Sequence, residues 1–296
     1  IKRYDKDYIL PRAGAIQSLA DKRVLLIGCG SLGGYIAFEL TRAGIDSLTL
    51  VDKDDLSPDN IHRHALGANR LYALIEVDGI KTTKAIPKVE GLKAELEAKY
   101  PYVTVKTFRA SIQELIKDNM INVGIFDLII VALGNPTVEL FLNRYFHQVE
   151  TCPPAIFTWN EPLGIGGHAL LTKNNDQSGC LECLYRDPEQ PPLYNKASFS
   201  APGQFFGETV TGCSNVFTPY CSMDSLQTAI LATRLGISVL LGHERDNPLL
   251  SWKGNDYHFK QKYRLSPRYE LSFEQLFDSR YHYKLEGCTI CHHRGE

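Results

Sequence analysis

A short apolar run that ends in three spaced glycines constrains this chain more than its other stretches do. Val24 to Ile27 are all apolar and lead directly into Gly28, Gly30 and Gly33, and a helix-like segment follows. A buried parallel strand that ends in such a turn can bring backbone N–H groups against a phosphate. The first glycine allows the tight turn, the second lets a ligand approach the backbone, and the third lets helix pack on strand. The pattern predicts a nucleotide site, and its usual ligand is a dinucleotide.

Strand-like runs alternate with helix-like segments through the first half of the chain. The strands are predicted at 23–28, 48–52, 103–108, 127–133 and 155–159, and the helices at 32–42, 87–100, 111–119 and 137–149. This alternation is typical of an α/β fold in which helices cover both faces of a doubly wound, mostly parallel sheet. We therefore expect a Rossmann-like domain.

The remaining stretches are less regular. Residues 1–22 are predicted to form a leading helix or arm, and 53–64 are too charged to belong to the core. A strand is expected at 166–171, with an antiparallel orientation as one option, and a helix at 224–241. Between them, 185–222 is rich in Pro, Gly, Ser and aromatic residues and has no clear period. Loops of that length within compact domains are usually functional or mobile.

Length and charge limit the class of protein. We expect the 296 residues to form a single domain over 1–296, although two small domains would also fit. The net charge of −2 gives no reason to expect nucleic acid or an anionic membrane as a partner. No apolar run approaches the roughly 18 residues of a membrane span, and no signal-peptide pattern opens the chain, so a cytoplasmic location is expected. Because the first residue is Ile rather than Met, we expect a fragment or a processed form, and a missing N-terminal domain is compatible with it.

Polar residues downstream of the glycines indicate which nucleotide binds. Asp52 ends an apolar run, at a place where a carboxylate can accept a ribose hydroxyl. Asn60, Arg63 and Lys88 follow it. Cations and an amide near a phosphate-binding turn suit a triphosphate, whose charge needs partners beyond backbone N–H groups. The alternative is that Asn60, His62 and Arg63 form a solvated loop, since charged loop residues are common.

The eight cysteines favour metal binding or chemistry over disulfides, because the chain is large and lacks a secretion signal. Two pairs have the spacing Cys-x-x-Cys: Cys180 with Cys183, and Cys288 with Cys291. Four thiolates can close a tetrahedral structural zinc site, which would attach the C-terminal tail 243–296 to the domain. The alternative is four unrelated buried thiols.

An ordered set of these residues resembles the ThiF/MoeB and ubiquitin-activating family. The set consists of the glycine turn, Asp52-Lys53-Asp54, Asn60, Arg63, Pro87-Lys88-Val89-Glu90, and Leu96 with Pro101 before the third strand. The resemblance covers roughly residues 3–240, and the cysteine pairs extend it to 291. It implies a domain that binds ATP and Mg²⁺ and adenylates the C-terminal glycine of a small β-grasp protein.

The resemblance also implies roles for individual residues. Asp52 would hold the ribose, and Asn60, Arg63 and Lys88 would contact the phosphates. Adenylation is the attack of a weak carboxylate nucleophile on the α-phosphate with pyrophosphate as the leaving group. A protein therefore helps mainly by positioning the reactants and by neutralising the developing charge.

Two positions depart from the family's pattern. The family carries an Asp after the fourth strand that helps to bind Mg²⁺, and Gly134 stands at that place here. Asp54 would then be the alternative metal ligand. The arginine that the family lends across a dimer from its N-terminal arm corresponds to Lys6, which cannot form a bidentate fork, although Arg3 or Arg12 can substitute for it. Both departures are compatible with an inactive relative.

The cysteines outside the two pairs include a candidate nucleophile. The segment around Cys213 resembles the family segment that carries the reactive cysteine, whose thiolate would capture the adenylated C-terminus as a thioester. Cys221 lies closer to a helix start, whose dipole favours a thiolate, but Cys213 is preferred. The alternative is that both are small loop residues. Cys29 and Cys152 are expected to be structural.

The string at 159–168 supports a narrower resemblance. It contains several turn-forming residues, so one prediction is a wide turn with His168 as a cap. It also resembles segments in the activating proteins of bacterial antiphage (CBASS) systems. In those systems a ubiquitin-activating-like domain follows a conjugating-enzyme-like one and attaches the C-terminus of a nucleotidyltransferase to targets. The resemblance implies a partner with a flexible tail that ends in Gly, either a ubiquitin-like protein or a nucleotidyltransferase, and the wider family implies a homodimer.

Three functions remain open from the sequence. The first is ATP-dependent adenylation of a protein C-terminus followed by thioester transfer to Cys213. The second is a nucleotide-binding scaffold without catalysis, which Gly134 and Lys6 motivate. The third is an NAD-dependent oxidoreductase, which rests on the glycine turn alone and explains neither Arg63 nor Lys88.

Overall fold

A mixed sheet forms the centre of the computed structural model, which describes residues 3–174, 178–186, 194–208 and 217–291. Within these residues the strands are Arg23–Ile27 (β1), Ser47–Val51 (β2), Tyr72–Val77 (β3), Ile80–Ala85 (β4), Thr104–Phe108 (β5), Leu128–Val131 (β6), Ala155–Asn160 (β7), Gly166–Thr172 (β8) and Leu249–Lys253 (β9). The α-helices are Lys6–Arg12 (α1), Ser31–Ala43 (α2), Lys88–Lys99 (α3), Ile112–Lys117 (α4), Pro136–Gln148 (α5), Ser222–Leu240 (α6), Tyr257–Lys260 (α7), Pro267–Glu270 (α8) and Phe273–Asp278 (α9).

Seven of the strands pair in the order β5-β2-β1-β6-β7-β8-β9. The first five of this order are parallel, whereas β8 and β9 are antiparallel to their neighbours. The predicted α/β class with a doubly wound, mostly parallel sheet is therefore confirmed. From β1 the chain builds the sheet outward through β2 to β5, and it then crosses to the other side of β1 to add β6. The direction in which strands are added therefore reverses between β1 and β6. Ligands of open α/β sheets bind at such a switch point.

Both faces of the sheet are buried, which explains why its central strands are apolar throughout. On β1, Val24 and Leu26 point into a core that α2, α3 and α6 cover. Leu25 and Ile27 point into a second core on the opposite face, beneath α4 and α5. At the end of α2, Gly44 adopts a left-handed conformation with φ of +116°, which is the helix stop that its position suggests.

The hairpin of β3 and β4 has no counterpart among the strands predicted above. It forms a separate two-stranded sheet, and large apolar side chains on it are exposed, with Leu74 at 82% and Ile80 at 70%. Its tight turn is Asp78-Gly79, whose two residues have positive φ values of 53° and 77°. Asp-Gly between two β-prone runs is a strong hairpin signal, so the sequence does contain the information that predicts this element.

The C-terminal part adds β9 to the sheet edge and then continues through three short helices, α7 to α9. The predicted loop at 185–222 forms only isolated bridges among its described residues, Ser200 with Leu265 and Glu208 with Phe217. In the part of the chain that the structure describes, no helix has the length and hydropathy that a membrane span needs.

Candidate nucleotide site and cysteine cluster

A cavity of about 510 Å³ lies at the carboxyl ends of β1, β2 and β6. Its walls are formed by Gly28, Gly30, Asp52, Lys53, Asp54, Lys88, Ser111, Ile112, Gln113, Ala132, Leu133, Asn135 and Val138. The cavity therefore occupies the switch point of the sheet, where α/β folds bind their ligands. The glycine turn, Asp52 and Lys88, which are separated along the sequence, meet in it.

Each of the three glycines in the turn has a different steric role. Gly28 has φ of +92°, and a Cβ there would lie 2.5 Å from the carbonyl oxygen of Ala132. A Cβ on Gly33 would lie 1.9 Å from the carbonyl oxygen of Gly28, so only glycine lets α2 pack this closely on the turn. A Cβ on Gly30 would meet no described atom within 4 Å, and Gly30 lines the cavity. This is the place where a ligand can approach the backbone.

Asp52 holds the turn from the end of β2. Its Oδ2 atom accepts the N–H of Cys29 at 2.7 Å, and its Oδ1 atom accepts the N–H of Asp54 at 2.9 Å. Each carboxylate oxygen retains a second lone pair, so the side chain can still accept a hydrogen bond from a ligand hydroxyl in the cavity. Its contact with a ribose stays a prediction.

Lys88 supplies a cation at the cavity wall. Its Nζ lies 3.0 Å from Oδ2 of Asp54, and its own N–H donates to the carbonyl oxygen of Asp54 at 3.0 Å. Lys88 is only 9% exposed, whereas the side chain of Asp54 is 56% exposed. Because the lysine is buried and its carboxylate partner faces solvent, a phosphate that enters the cavity can compete for the ammonium group.

Asn60 and Arg63 are not among the described residues that line this cavity. Arg63 donates its N–H to the carbonyl oxygen of Asn60 at 3.0 Å, and its guanidinium carbon lies 5.3 Å from the centre of the Tyr220 ring. Both side chains are half-buried. Their contact with phosphates stays a prediction.

His64 is a site residue that the sequence interpretation missed. It is 5% exposed, its Nε2 lies 2.8 Å from the carbonyl oxygen of Cys29, and its Nδ1 accepts the N–H of Leu66 at 3.0 Å. Burial lowers the pKa of His64, so the neutral ring with a proton on Nε2 fastens the segment after β2 to the glycine turn. The prediction that all of 53–64 is too charged for the core is therefore wrong at His64 and at Leu56, which is 3% exposed.

Cys213, the preferred nucleophile, lies outside the described residues, which resume at 217. The hydroxyl of Tyr220 lies 3.0 Å from Oγ of Ser31, in the first turn of α2. Cys221 is exposed, and its N–H donates to Oδ2 of Asp224 at 2.8 Å at the start of α6. Tyr220 thus lies beside the glycine turn.

The two positions that depart from the family's pattern lie at opposite edges of the sheet. Gly134 follows β6 at the carboxyl edge, has φ of +63° and donates its N–H to Oε1 of Glu139 at 2.9 Å. Lys6 forms an ion pair with Asp46, which precedes β2 at the amino edge. Arg3 pairs with Asp5 at 2.7 Å. Within this chain Lys6 therefore does not reach the cavity, and a contribution across a dimer stays a prediction.

The two Cys-x-x-Cys pairs converge into one cluster. The sulfurs of Cys180, Cys183, Cys288 and Cys291 all lie within 4.8 Å of one another, and all four residues are buried. Cys180 and Cys288 are 3.9 Å apart at sulfur, and Cys183 and Cys291 are 3.6 Å apart. Four sulfurs about 2.3 Å from a tetrahedral metal are roughly 3.8 Å apart, whereas a disulfide needs about 2.05 Å. The cluster therefore fits a metal ion.

Helix α5 supports this cluster as well as the cavity. Asn143 donates from Nδ2 to the sulfur of Cys180 at 3.5 Å and accepts the N–H of Leu181 at 3.2 Å. Such contacts orient metal ligands. The neighbouring Arg144 pairs with the buried Glu182 at 2.7 Å. The cluster also joins residues near 180 to the C-terminal segment, as the predicted role of 243–296 requires.

The string at 159–168 is not a wide turn with a histidine cap, so that prediction is wrong. His168 lies within β8 and is fully buried. Its Nε2 is 3.1 Å from Oε1 of Glu161, and its Nδ1 is 2.8 Å from Oγ of Ser251 on β9. Only a short 3₁₀ turn at Pro162–Gly164 separates β7 from β8. Within this string His168 pairs with Glu161, and it also contacts Ser251 on β9, so the histidine does not cap a turn.

Sequence comparison identifies the family of this chain. The profile of the ThiF family matches residues 4–212. The chain belongs to the ThiF family. Among curated ThiF-type relatives, the ATP-dependent ubiquitin transferase-like protein Cap2 of Pseudomonas aeruginosa is 26% identical over 248 residues, which are 82% of this chain and 40% of Cap2. The adenylyltransferase and sulfurtransferase UBA4 of Scheffersomyces stipitis is 25% identical over 191 residues, which are 63% of this chain and 39% of UBA4. This ThiF-family chain thus spans less than half the length of these relatives.

Solved structures show the same fold. E. coli MccB has a TM-score of 0.60 at 15% identity, with 94% of this ThiF-family chain and 67% of MccB covered. E. coli MccB with ATP has a TM-score of 0.53 at 16% identity, with 84% of this chain and 64% of MccB covered. The arrangement of the sheet and its helices is therefore shared with MccB.

Proposed function

We propose that this chain is an adenylation domain that binds ATP in the cavity at the switch point and activates the C-terminus of a protein partner. The observation that carries the proposal is the convergence of the glycine turn, Asp52 and the buried Lys88 in one cavity. Membership of the ThiF family and the names of the relatives, which include adenylyltransferases, support it. The NAD-dependent alternative rests on the glycine turn alone and is not proposed.

In the proposed reaction, a carboxylate oxygen of the partner's C-terminal glycine attacks the α-phosphorus of ATP. A bond forms between that oxygen and phosphorus, the bond from phosphorus to the bridging oxygen breaks, and pyrophosphate leaves. The product is an acyl adenylate on the partner. Lys88, the N–H groups of the glycine turn and the N-terminal end of α2 stabilise the negative charge of the phosphates. Arg63 and Asn60 act at the rim of the cavity.

Magnesium bound to the triphosphate would neutralise further charge. Its preferred ligands are carboxylate and phosphate oxygens, and Asp52 and Asp54 present carboxylates at the cavity wall. We therefore propose Asp54 as the protein ligand, in place of the carboxylate that is absent at Gly134. In the same way, we propose Zn²⁺ for the cluster of Cys180, Cys183, Cys288 and Cys291, because four thiolates form a closed structural zinc site.

The second proposed step transfers the partner to Cys213. Its thiolate attacks the carbonyl carbon of the acyl adenylate, a thioester forms, and AMP leaves with the electrons of the broken bond. Tyr220, seven positions after Cys213 in the sequence, lies beside Ser31 at the start of α2, and this contact supports the choice of Cys213. Cys221 is the second candidate, since it is exposed at the start of α6.

The relatives suggest the class of partner. A protein with a flexible tail that ends in Gly, either a ubiquitin-like protein or a nucleotidyltransferase, fits an enzyme similar to Cap2. We propose that the domain works as a homodimer in the cytoplasm and together with a conjugating-enzyme-like domain. A scaffold that binds ATP without turnover is the second candidate function, and the absence of a carboxylate at Gly134 favours it.

Exchange of labelled pyrophosphate into ATP, measured with a candidate partner present, tests the adenylation step. Lys88→Ala is expected to abolish the exchange. Lys93→Ala is the matched control, because Lys93 lies on the same helix but contacts the carbonyl oxygen of Val105 at 2.9 Å instead of the cavity. Equal exchange in both variants would contradict the proposed role of Lys88, and ATP binding without exchange would favour the scaffold.

A further inference from the structure

Glu139 is a buried carboxyl group behind the cavity wall, and neither step of the proposed chemistry uses it. It lies in the first turns of α5 and is 3% exposed. Its Oε1 atom accepts the N–H of Gly134 at 2.9 Å. This contact joins the helix to the turn that links β6 to α5.

That turn forms one side of the cavity. Leu133 and Asn135 line it, and Gly134 between them has φ of +63°, which glycine adopts without strain. The side chain of Asn135 accepts the N–H of Val138 at 3.3 Å and so caps α5. The turn is thus tied to the helix at two points, and one of them is the carboxylate of Glu139.

A buried carboxyl group at this position loses the favourable hydration of its charged form. Burial raises the pKa of Glu139 to about 7, and the N–H groups of Gly134, Asn135 and Leu133 oppose the rise. Burial raises the pKa of Tyr185, and the charge of Glu139 adds to the rise. An apolar side chain of similar size would avoid this desolvation, but it could not accept an N–H. The hydrogen bond is therefore what the residue type provides.

We propose that Glu139 is a positioning residue for the nucleotide, which holds the wall at 133–135 in place through the N–H of Gly134. The inference rests on the proposed function, since it requires the cavity to be the ATP site. Glu139 does not replace the missing magnesium carboxylate, because its side chain is buried and its Oε1 already accepts an N–H. Its effect reaches the ligand only through the backbone of the turn.

Binding of ATP by the full chain, measured by calorimetry at about pH 8, where most of this carboxyl group is ionised, tests the proposal. Glu139→Ala removes the acceptor and is expected to weaken ATP binding roughly ten-fold or more, as expected for a lost hydrogen bond to a charged group. Glu139→Gln keeps an acceptor oxygen and is expected to bind ATP within about three-fold of the wild type. Phe146→Leu changes the buried side of the same helix, eleven positions beyond Asn135, where its ring packs near Phe157, and is expected to leave ATP affinity unchanged.

The outcomes separate the inference from the function on which it rests. Unchanged affinity in Glu139→Ala, equal weakening in Phe146→Leu, or no recovery in Glu139→Gln would overturn the positioning role. No ATP binding by the wild type, or unchanged binding in Lys88→Ala, would overturn the proposed ATP site instead. If Glu139→Ala does not fold, Glu139→Leu fills the same space without an acceptor, and unchanged affinity in that variant would overturn the positioning role.

Discussion

Replacement of Glu139 by Gln is expected to change how the stability of the fold depends on pH. The pKa of Glu139 rises from 4.5 to about 7 on folding, because the side chain loses water. The folded state therefore binds more protons than the unfolded state between these pH values. A raised folded-state pKa contributes stability that is fully present below pH 4.5 and is lost as the pH rises through about 7.

The magnitude follows from the difference between the two pKa values. At about 1.36 kcal/mol per pKa unit, ionisation of Glu139 lowers the free energy of unfolding by about 3 kcal/mol. Gln carries no charge at any pH. The stability of Glu139→Gln relative to the wild type should therefore grow by about 3 kcal/mol between pH 4.5 and pH 8. For a chain of this size, that corresponds to a difference of roughly 5–10 °C in melting temperature.

Urea unfolding followed by circular dichroism over this pH range measures the effect. Glu114→Gln is the control with the opposite sign, because hydrogen bonds from Ser111 lower the pKa of Glu114. Its wild-type carboxylate contributes stability that is present above its unfolded pKa and is lost at lower pH. If the difference between Glu139→Gln and the wild type were the same at every pH, the reasoning about Glu139 would be refuted.

Three further changes test other parts of the structure. Cys288→Ser is expected to release bound zinc, measured by mass spectrometry of the metal, and to lower the melting temperature by roughly 5–10 °C; a wild-type protein purified without metal would contradict the cluster's role. Cys213→Ala is expected to abolish a thiol-labile adduct with the partner while Cys221→Ala retains it, and the reverse result would move the nucleophile to Cys221. Gly33→Ala places a Cβ against the carbonyl oxygen of Gly28 and is expected to cost about 2–3 kcal/mol in urea unfolding and to weaken ATP binding; unchanged binding would show that this packing is not needed.

The elements that the sequence predicts well are those whose burial determines the residue types along the chain. Strand β1 is covered on both faces, so Val24 to Ile27 must all be apolar. Gly28 and Gly33 are required by contacts with the backbone itself, which no other residue type satisfies. The paired cysteines are also recognised from the sequence, because metal ligands need fixed spacing.

The residues that the sequence does not reveal depend on burial and on contacts that form only in the folded chain. His64 resembles a charged loop residue until the structure brings it against the carbonyl oxygen of Cys29, 35 positions earlier. Glu139 looks like an ordinary polar residue of a helix start, and only its burial against Gly134 gives it a role. His168 falls within the strand predicted at 166–171, but its pairing with Glu161 and with Ser251 on β9 is visible only in the structure.

Intact-mass analysis of a Gly-ended partner protein, mixed with ATP, Mg²⁺ and this chain, tests the central claim most directly. The account predicts that the partner gains an adenylyl group, which is the mass of AMP less one water, or becomes attached to this chain as a thioester. Removal of its last glycine and Lys88→Ala are each expected to prevent both products. The claim that this cavity adenylates a protein C-terminus would be contradicted if the chain binds ATP but modifies none of the candidate partners. These candidates are ubiquitin-like proteins and nucleotidyltransferases whose tails end in Gly.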